Sequence, residues 1–192
     1  MPRRAWAWLL PAVLVALVAG AALYAITSPR YALYWLGAAV ERRDADAALA
    51  FFDVDAIADH ATAVLAADYL ARQPAPASPA EANGRELLVA FARRRLRPLV
   101  AARIRAEIER GIERSAGDRS AEPIGLPVGA LAVVTAVTVA RDGAGSWVSY
   151  QDPVQGPVRF RMAREGGGPW RITEFDPDWV RRKAREEGIR LH

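Results

Sequence analysis

The sequence predicts an α+β fold behind a membrane anchor: an N-terminal transmembrane helix, then three to four helices packed on a four-stranded antiparallel meander. Three observations carry this reading. Charge stops at Arg4 and resumes only at Arg30. Across residues 29–116 apolar side chains recur at helical spacing. Across residues 128–176 the period falls to two, with turn residues between the runs. The chain therefore divides into residues 1–28, a short tail and anchor, and residues 29–192, a soluble body. The body comprises helices over 29–116, a sheet over 128–176 and an amphipathic tail over 178–188.

The apolar stretch Ala5–Ile26 is 22 residues long, interrupted only by Pro11 and Gly20. A helix of that length reaches roughly 33 Å, enough for a hydrocarbon core of about 30 Å. Trp6 and Trp8 flank one end, and Tyr24, Tyr31, Tyr34 and Trp35 the other, as amphipathic rings do at headgroup level. A cleaved signal peptide is the rival reading, since Ala19-Gly20-Ala21 resembles a small-residue cleavage site; the apolar run continues past it to Ile26. The bilayer is thus the expected partner of residues 5–26. Arg3 and Arg4 favour keeping the tail inside, which puts the body on the outer side of a bacterial inner membrane, single-pass.

Pro29 to Arg43 reads as the first helix of the body, with Leu33, Leu36 and Val40 on one face. A short helix, Asp46 to Phe52, follows a break at Arg43-Asp44. Asp53 caps a third, whose apolar face is Val54, Ile57, Ala58, Ala61, Leu65 and Tyr69. Gln73 to Asn83 is proline-rich and aperiodic, a loop. From Gly84 a long pattern runs through Ile112, with Pro98 inside it; a kink is expected there, or two helices meeting near Arg97. Arg103/Glu107 and Arg105/Glu109 stand four apart and can pair in water.

The strands follow. Leu131, Val133, Thr135, Val137 and Val139 alternate as strand one, and Arg141–Gly145 supplies hairpin residues. Trp147–Gln151 is strand two, turned by Asp152–Gly156. Val158, Phe160 and Met162 alternate with Arg159 and Arg161 in strand three. Gly166-Gly167-Gly168 turns the chain into strand four, Pro169–Phe175, and Asp178 caps the tail. A bent sheet wrapped on helices resembles the nuclear transport factor two-like and cystatin-like cones; that likeness concerns architecture only.

The stretch Ser28-Pro29-Arg30-Tyr31-Ala32-Leu33-Tyr34-Trp35-Leu36-Gly37-Ala38-Ala39-Val40-Glu41-Arg42-Arg43-Asp44, the following Phe52-Asp53-Val54-Asp55, and the closing Trp170-Arg171-Ile172 resemble an uncharacterised bacterial family of membrane-anchored proteins, domain of unknown function number 2939. Ala56 stands where that family's pattern has a bulky residue. The resemblance implies a location and a fold, and no activity.

Candidate chemistry is sparse. The absence of cysteine excludes disulfides, thiol nucleophiles and Cys-based metal sites, and His60 and His192 are the only histidines. The Ser-elbow, zinc-protease and Walker patterns are missing, and Gly166–Gly168 lacks the Lys-Ser/Thr of a phosphate loop. Asp55 and Asp59 share a helix face, a geometry that suits a cation or a solvated acidic surface, while His60 points about 100° away from Asp59. Glu174 and Asp176, two apart on strand four, share a face that would look into a sheet cavity, beside Asp178. Arg159 and Arg161 share a face of strand three, with Arg171 on strand four. Arg181, Arg182, Lys183 and Arg185 of the tail, and Arg93, Arg94, Arg95 and Arg97, add basic surface suited to phosphates or carboxylates. A net charge of +4 is modest for nucleic acid, and no recognition helix stands out. The expectation is a non-catalytic envelope binding domain without a cofactor. Arg159, Arg161 and Arg171 are its candidate binding residues, and an anionic envelope ligand or a membrane protein its partner. A structural subunit, or a small enzyme using a sheet-cavity carboxylate, are the alternatives.

Overall fold

Ser28 is an N-cap: its hydroxyl accepts from the Tyr31 amide at 3.2 Å and Pro29 occupies the first helical position, so α1 begins there and runs Pro29–Glu41. The computed structural model describes residues 15–20, 24, 27–115, 134–152 and 156–186. Most of the expected span Ala5–Ile26 lies outside them; residues 15–20 are helical and solvent-exposed. Among the described residues no helix is long and apolar enough to cross a membrane.

The buried face of α1 is Ala32, Leu33, Ala38 and Ala39, with Leu36 and Val40 half-buried. Arg43 adopts a left-handed φ of 61° and lets the chain turn into α2, Ala45–Leu49, capped by Asp44. This helix was expected over Asp46–Phe52. It stops at Leu49 because the next residues are drawn to the sheet. Ile172 donates to the Phe51 carbonyl at 2.8 Å and accepts from the Asp53 amide at 2.9 Å, making a parallel bridge at Phe52. Asp53 then caps α3, Val54–Arg72, accepting from the Ala56 amide at 2.9 Å. Val54, Ile57, Ala58 and Val64 are buried, as is Thr62, whose hydroxyl donates to the Ala58 carbonyl at 2.8 Å.

α4 is a single helix, Pro79–Ser115, with Pro98 inside it rather than two helices meeting at Arg97. It also starts earlier than the loop reading of Gln73–Asn83 allows. Ser78-Pro79-Ala80-Glu81 forms a capping box: Ser78 Oγ accepts from the Glu81 amide, and the Glu81 carboxylate accepts from the Ala77 amide at 2.8 Å.

The sheet is a meander in the order β1-β2-β3-β4, all antiparallel, comprising β1 Thr138–Asp142, β2 Gly145–Asp152, β3 Gly156–Arg164 and β4 Trp170–Phe175. The first strand was expected from Leu131. Residues 134–136 instead form a helical turn, whose backbone is held by Arg30: its guanidinium donates to the Val134 and Val137 carbonyls at 3.3 and 3.4 Å. Gly166 and Gly167 take φ of 55° and 77° in the β3–β4 turn, the conformation for which glycine is needed. The final helix, α5 Pro177–Glu186, is capped by Asp176 rather than Asp178: Asp176 Oδ1 accepts from the Asp178 amide at 2.9 Å.

The alternation in β3 decides where the core sits. Val158, Phe160 and Met162 are buried, together with Val148 of β2 and Ile172 of β4. Leu33, Ile57, Phe51, Phe52 and Trp179 pack on this face, and Trp179 stacks on Phe175 with ring centroids 4.5 Å apart. A second cluster, Ala39, Ala48 and Ile112, joins α1, α2 and α4. The helices thus cover one face of the sheet.

Candidate open-face site on the sheet

Because strand residues alternate, a face filled with Val, Phe, Met and Ile implies a second face of opposite composition. That second face carries Thr138, Ala140 and Asp142 from β1, and Trp147, Ser149 and Gln151 from β2. From β3 come Arg159, Arg161 and Ala163, and from β4 Arg171 and Glu174. Arg159, Arg171, Asp142 and Gln151 are exposed, and Trp147 and Arg161 half-exposed.

The three candidate arginines share this face by register but not by environment. The guanidinium of Arg159 lies over the Trp147 ring, 4.5 Å from its centroid, a cation–π geometry at an exposed site. Trp147 sits opposite in parity to buried Val148, and its indole donates to Asp142 Oδ2 at 3.1 Å. Arg161 is enclosed by acids: Nη1 meets Glu174 Oε1 at 2.9 Å and Nε lies 3.9 Å from Asp142 Oδ2. Its charge is largely answered within the chain. Gly145, opposite Ala163, leaves the room this guanidinium occupies: a Cβ there would stand 2.9 Å from Arg161 Nε. Arg171 lines an open recess of about 600 Å³ with Asp53, Arg164, Glu165 and Thr173.

Glu174 does not look into a sheet cavity. Register pairs it with Arg161 on the open face, and a bulge at Thr173 separates it from Ile172, which faces the core. The helix-side face itself is filled, with Met162 fully buried and Phe160 and Ile172 nearly so. Asp176 caps α5, and Asp178 binds Arg181 at 2.7 Å. The second oxygen of Glu174 lies 3.8 Å from His60 Nδ1 of α3. His60 and Glu174 therefore meet across elements, on a side of α3 that Asp55 and Asp59 do not share, as the helical spacing indicates. Those two aspartates turn to Arg97 of α4, at 3.4 and 2.9 Å, beside an open recess that Arg93 and Arg94 also line. An acidic pair already neutralised by a guanidinium makes a poor cation site, and among the described residues no group of three or more His, Cys, Asp or Glu could hold a metal.

In the tail the basic residues are mostly engaged. Arg181 also approaches Asp68 at 3.7 Å, and Lys183 meets Glu186 at 3.0 Å and lies 6.0 Å from the Trp179 ring centroid. Burial, reinforced by the Asp152 charge, raises the Tyr150 phenol above its ordinary value. The Ala77 amide and the Arg85 side chain hold the Glu81 carboxyl below its ordinary range.

Sequence reasoning reached the shared face of Arg159 and Arg161 from alternation. It missed the Trp147–Arg159 stack, although the same alternation in Trp147-Val148-Ser149-Tyr150 carried the signal. The Asp142–Arg161–Glu174–His60 chain joins residues far apart in sequence, and no local pattern encodes it.

No curated protein and no solved structure matches this chain. The family described as "Protein of unknown function (DUF2939)" has a model that matches residues 18–112, which cover α1 to α3 and most of α4, and over that stretch the chain is similar to the family.

Proposed function

We propose that this chain is a membrane-tethered, non-catalytic binding domain of the bacterial envelope, and that the open face of its sheet is the binding surface. The observation that carries the reading is Arg159: exposed, stacked over Trp147, and on the side of the sheet that the helices leave uncovered. An arginine pre-oriented on an aromatic ring offers its guanidinium edge to a carboxylate or phosphate at a reduced entropic cost. Arg171 extends the surface, whereas Arg161, held by Glu174 and Asp142, orders the face rather than binding. The partner is an anionic envelope ligand or an acidic patch of a membrane protein. The tether is Ala5–Ile26, a single pass with the body on the outer side of the inner membrane. The sheet wraps its helices as a nuclear transport factor two-like or cystatin-like cone does, with the inner face packed.

Two measurements on the full chain test this. A reporter active only outside the cytoplasm, fused after His192, should be active. Soluble glycans bearing carboxylate or phosphate groups should quench tryptophan fluorescence saturably, with a neutral glycan as control. Arg159→Glu should abolish the quenching and Arg161→Gln should weaken it less. An inactive reporter would remove the envelope location, and titrations indifferent to Arg159→Glu would remove the site.

A further inference from the structure

α4 contacts α1, α2 and α3, yet much of its length between Gly84 and Leu99 is exposed. Leu87, Leu88, Phe91 and Leu99 are 72, 69, 69 and 65% exposed, a degree usual for charged side chains. At about 100° per residue these four fall within an arc of roughly 120° on one side of the helix. Arg94 borders that arc and Arg95 lies inside it. Glu86 is the only acid between residues 84 and 99, and it points to the opposite side. Arg97, turned toward Asp55 and Asp59, belongs to the side facing α3. The helix is therefore amphipathic twice over: one side is held to α3 by ion pairs, and the other is apolar, basic and free of acids.

The geometry points to this outer side of α4 as a docking surface for an anionic lipid bilayer, with α4 lying in the plane of the headgroups. Charge decides the occupant. Leucine and phenylalanine bury in the acyl boundary while arginines within and beside them extend to lipid phosphates, which is how interfacial helices divide their side chains. A second copy docked symmetrically would bring Arg94 and Arg95 of both chains into one patch with no acid to answer them. The inference goes beyond the sheet-face reading and needs neither that face nor the span Ala5–Ile26.

The chain has no cysteine, so a single introduced thiol gives a unique label. Full-length Ala92→Cys, at the edge of the arc, and Ala90→Cys, turned toward the α3 recess, would each carry an environment-sensitive fluorophore. They would be mixed with phosphatidylcholine vesicles with or without phosphatidylglycerol. The Ala92→Cys label should shift to the blue, and lipids carrying a nitroxide near the headgroup should quench it. Both effects should occur only with phosphatidylglycerol, and high salt should weaken them. The Ala90→Cys label should not respond. Arg94→Glu/Arg95→Glu, both at exposed positions, should abolish the response while thermal unfolding is unchanged. Should that variant unfold, the salt dependence of the original protein decides the matter. Flotation of Arg94→Glu/Arg95→Glu with vesicles of phosphatidylcholine alone reports attachment through residues 5–26 separately, so the failure of one attachment is distinguishable from that of the other. A label that stays in water with anionic vesicles overturns the proposal. So does a blue shift that ignores phosphatidylglycerol and grows with protein concentration, the signature of a second copy.

Discussion

Met162→Ala and Leu88→Ala remove similar amounts of apolar side chain from opposite environments, and the contrast tests where this fold keeps its stability. Met162 is fully buried at the centre of β3, opposite Ile172 and among Val148, Phe160 and Ile57. Truncation withdraws roughly three methylene-sized groups, about 2.4 kcal/mol at ~0.8 kcal/mol each, before any cavity term. A rigid strand between two paired strands collapses little, so the total should reach about 3–4 kcal/mol. For a body of this size that lowers Tm by roughly 8–14 °C. Leu88, 69% exposed, should cost less than about 0.5 kcal/mol, because it withdraws little surface from water and alanine suits a helix at least as well. Urea unfolding of the full chain followed by tryptophan fluorescence gives both values. A cost below about 1 kcal/mol at Met162, or equal costs at the two positions, would refute the division into a packed sheet face and an unpartnered helix face.

Gly145→Ala should destabilise by about 1–3 kcal/mol, because its Cβ would stand 2.9 Å from Arg161 Nε and 3.0 Å from the Met162 carbonyl. The guanidinium can yield but the carbonyl cannot, so Gly145→Ala/Arg161→Ala should recover only part of the loss in thermal melts. Glu81 has a depressed pKa in the folded chain, so its contribution is present above the ordinary carboxylate value and is lost as pH falls through the folded one. Amide protection in the first turn of α4, taken relative to the intrinsic exchange rate, should fall below about pH 4, near the ordinary Glu pKa, and Glu81→Gln should remove that dependence. Tyr150 has a raised pKa, so its contribution is complete below the ordinary phenol value, about 10, and is lost as pH rises through the folded one. Absorbance titration should show one late phenolate, absent in Tyr150→Phe.

The elements that sequence made legible are those whose signal is local. Asp53 as a cap, Ser28-Pro29 as a helix start, the Val158-Phe160-Met162 alternation and the Gly166–Gly167 turn each depend on a handful of adjacent residues, and each stands in the structure as read. Ser78-Pro79-Ala80-Glu81 was equally local and was obscured by the prolines around it, which dominate any composition-based reading of Gln73–Asn83. The shortening of α2 and the late start of β1 had no local signal at all. Ile172 captures the backbone at Phe51 and Asp53, and Arg30 captures it at Val134 and Val137, over separations of more than a hundred residues. The candidate site divides the same way. The shared face of Arg159 and Arg161 follows from period two, while the enclosure of Arg161 by Asp142 and Glu174 depends on three strands and a bulge arriving together.

Near the end of the apolar stretch the Tyr24 hydroxyl accepts from Arg141 at 2.9 Å, and just after it the Thr27 carbonyl accepts from the Trp170 indole at 2.6 Å, while Arg30 grips the chain before β1. Tyr24 and Thr27 are thereby held to the two edge strands of the sheet, β1 and β4, and Arg30 to the turn that leads into β1. A leash would leave the body free to tumble, and any surface could face the bilayer. Contacts at Tyr24, Thr27 and Arg30 oppose that freedom, so a tether of the kind proposed above would present one aspect of the body to the bilayer. The fixed geometry restricts the orientations available to the open face and to the apolar side of α4, which lowers the entropy lost when either engages a partner. Polar contacts at Tyr24, Thr27 and Arg30 contribute little to stability one by one. Their value lies in direction.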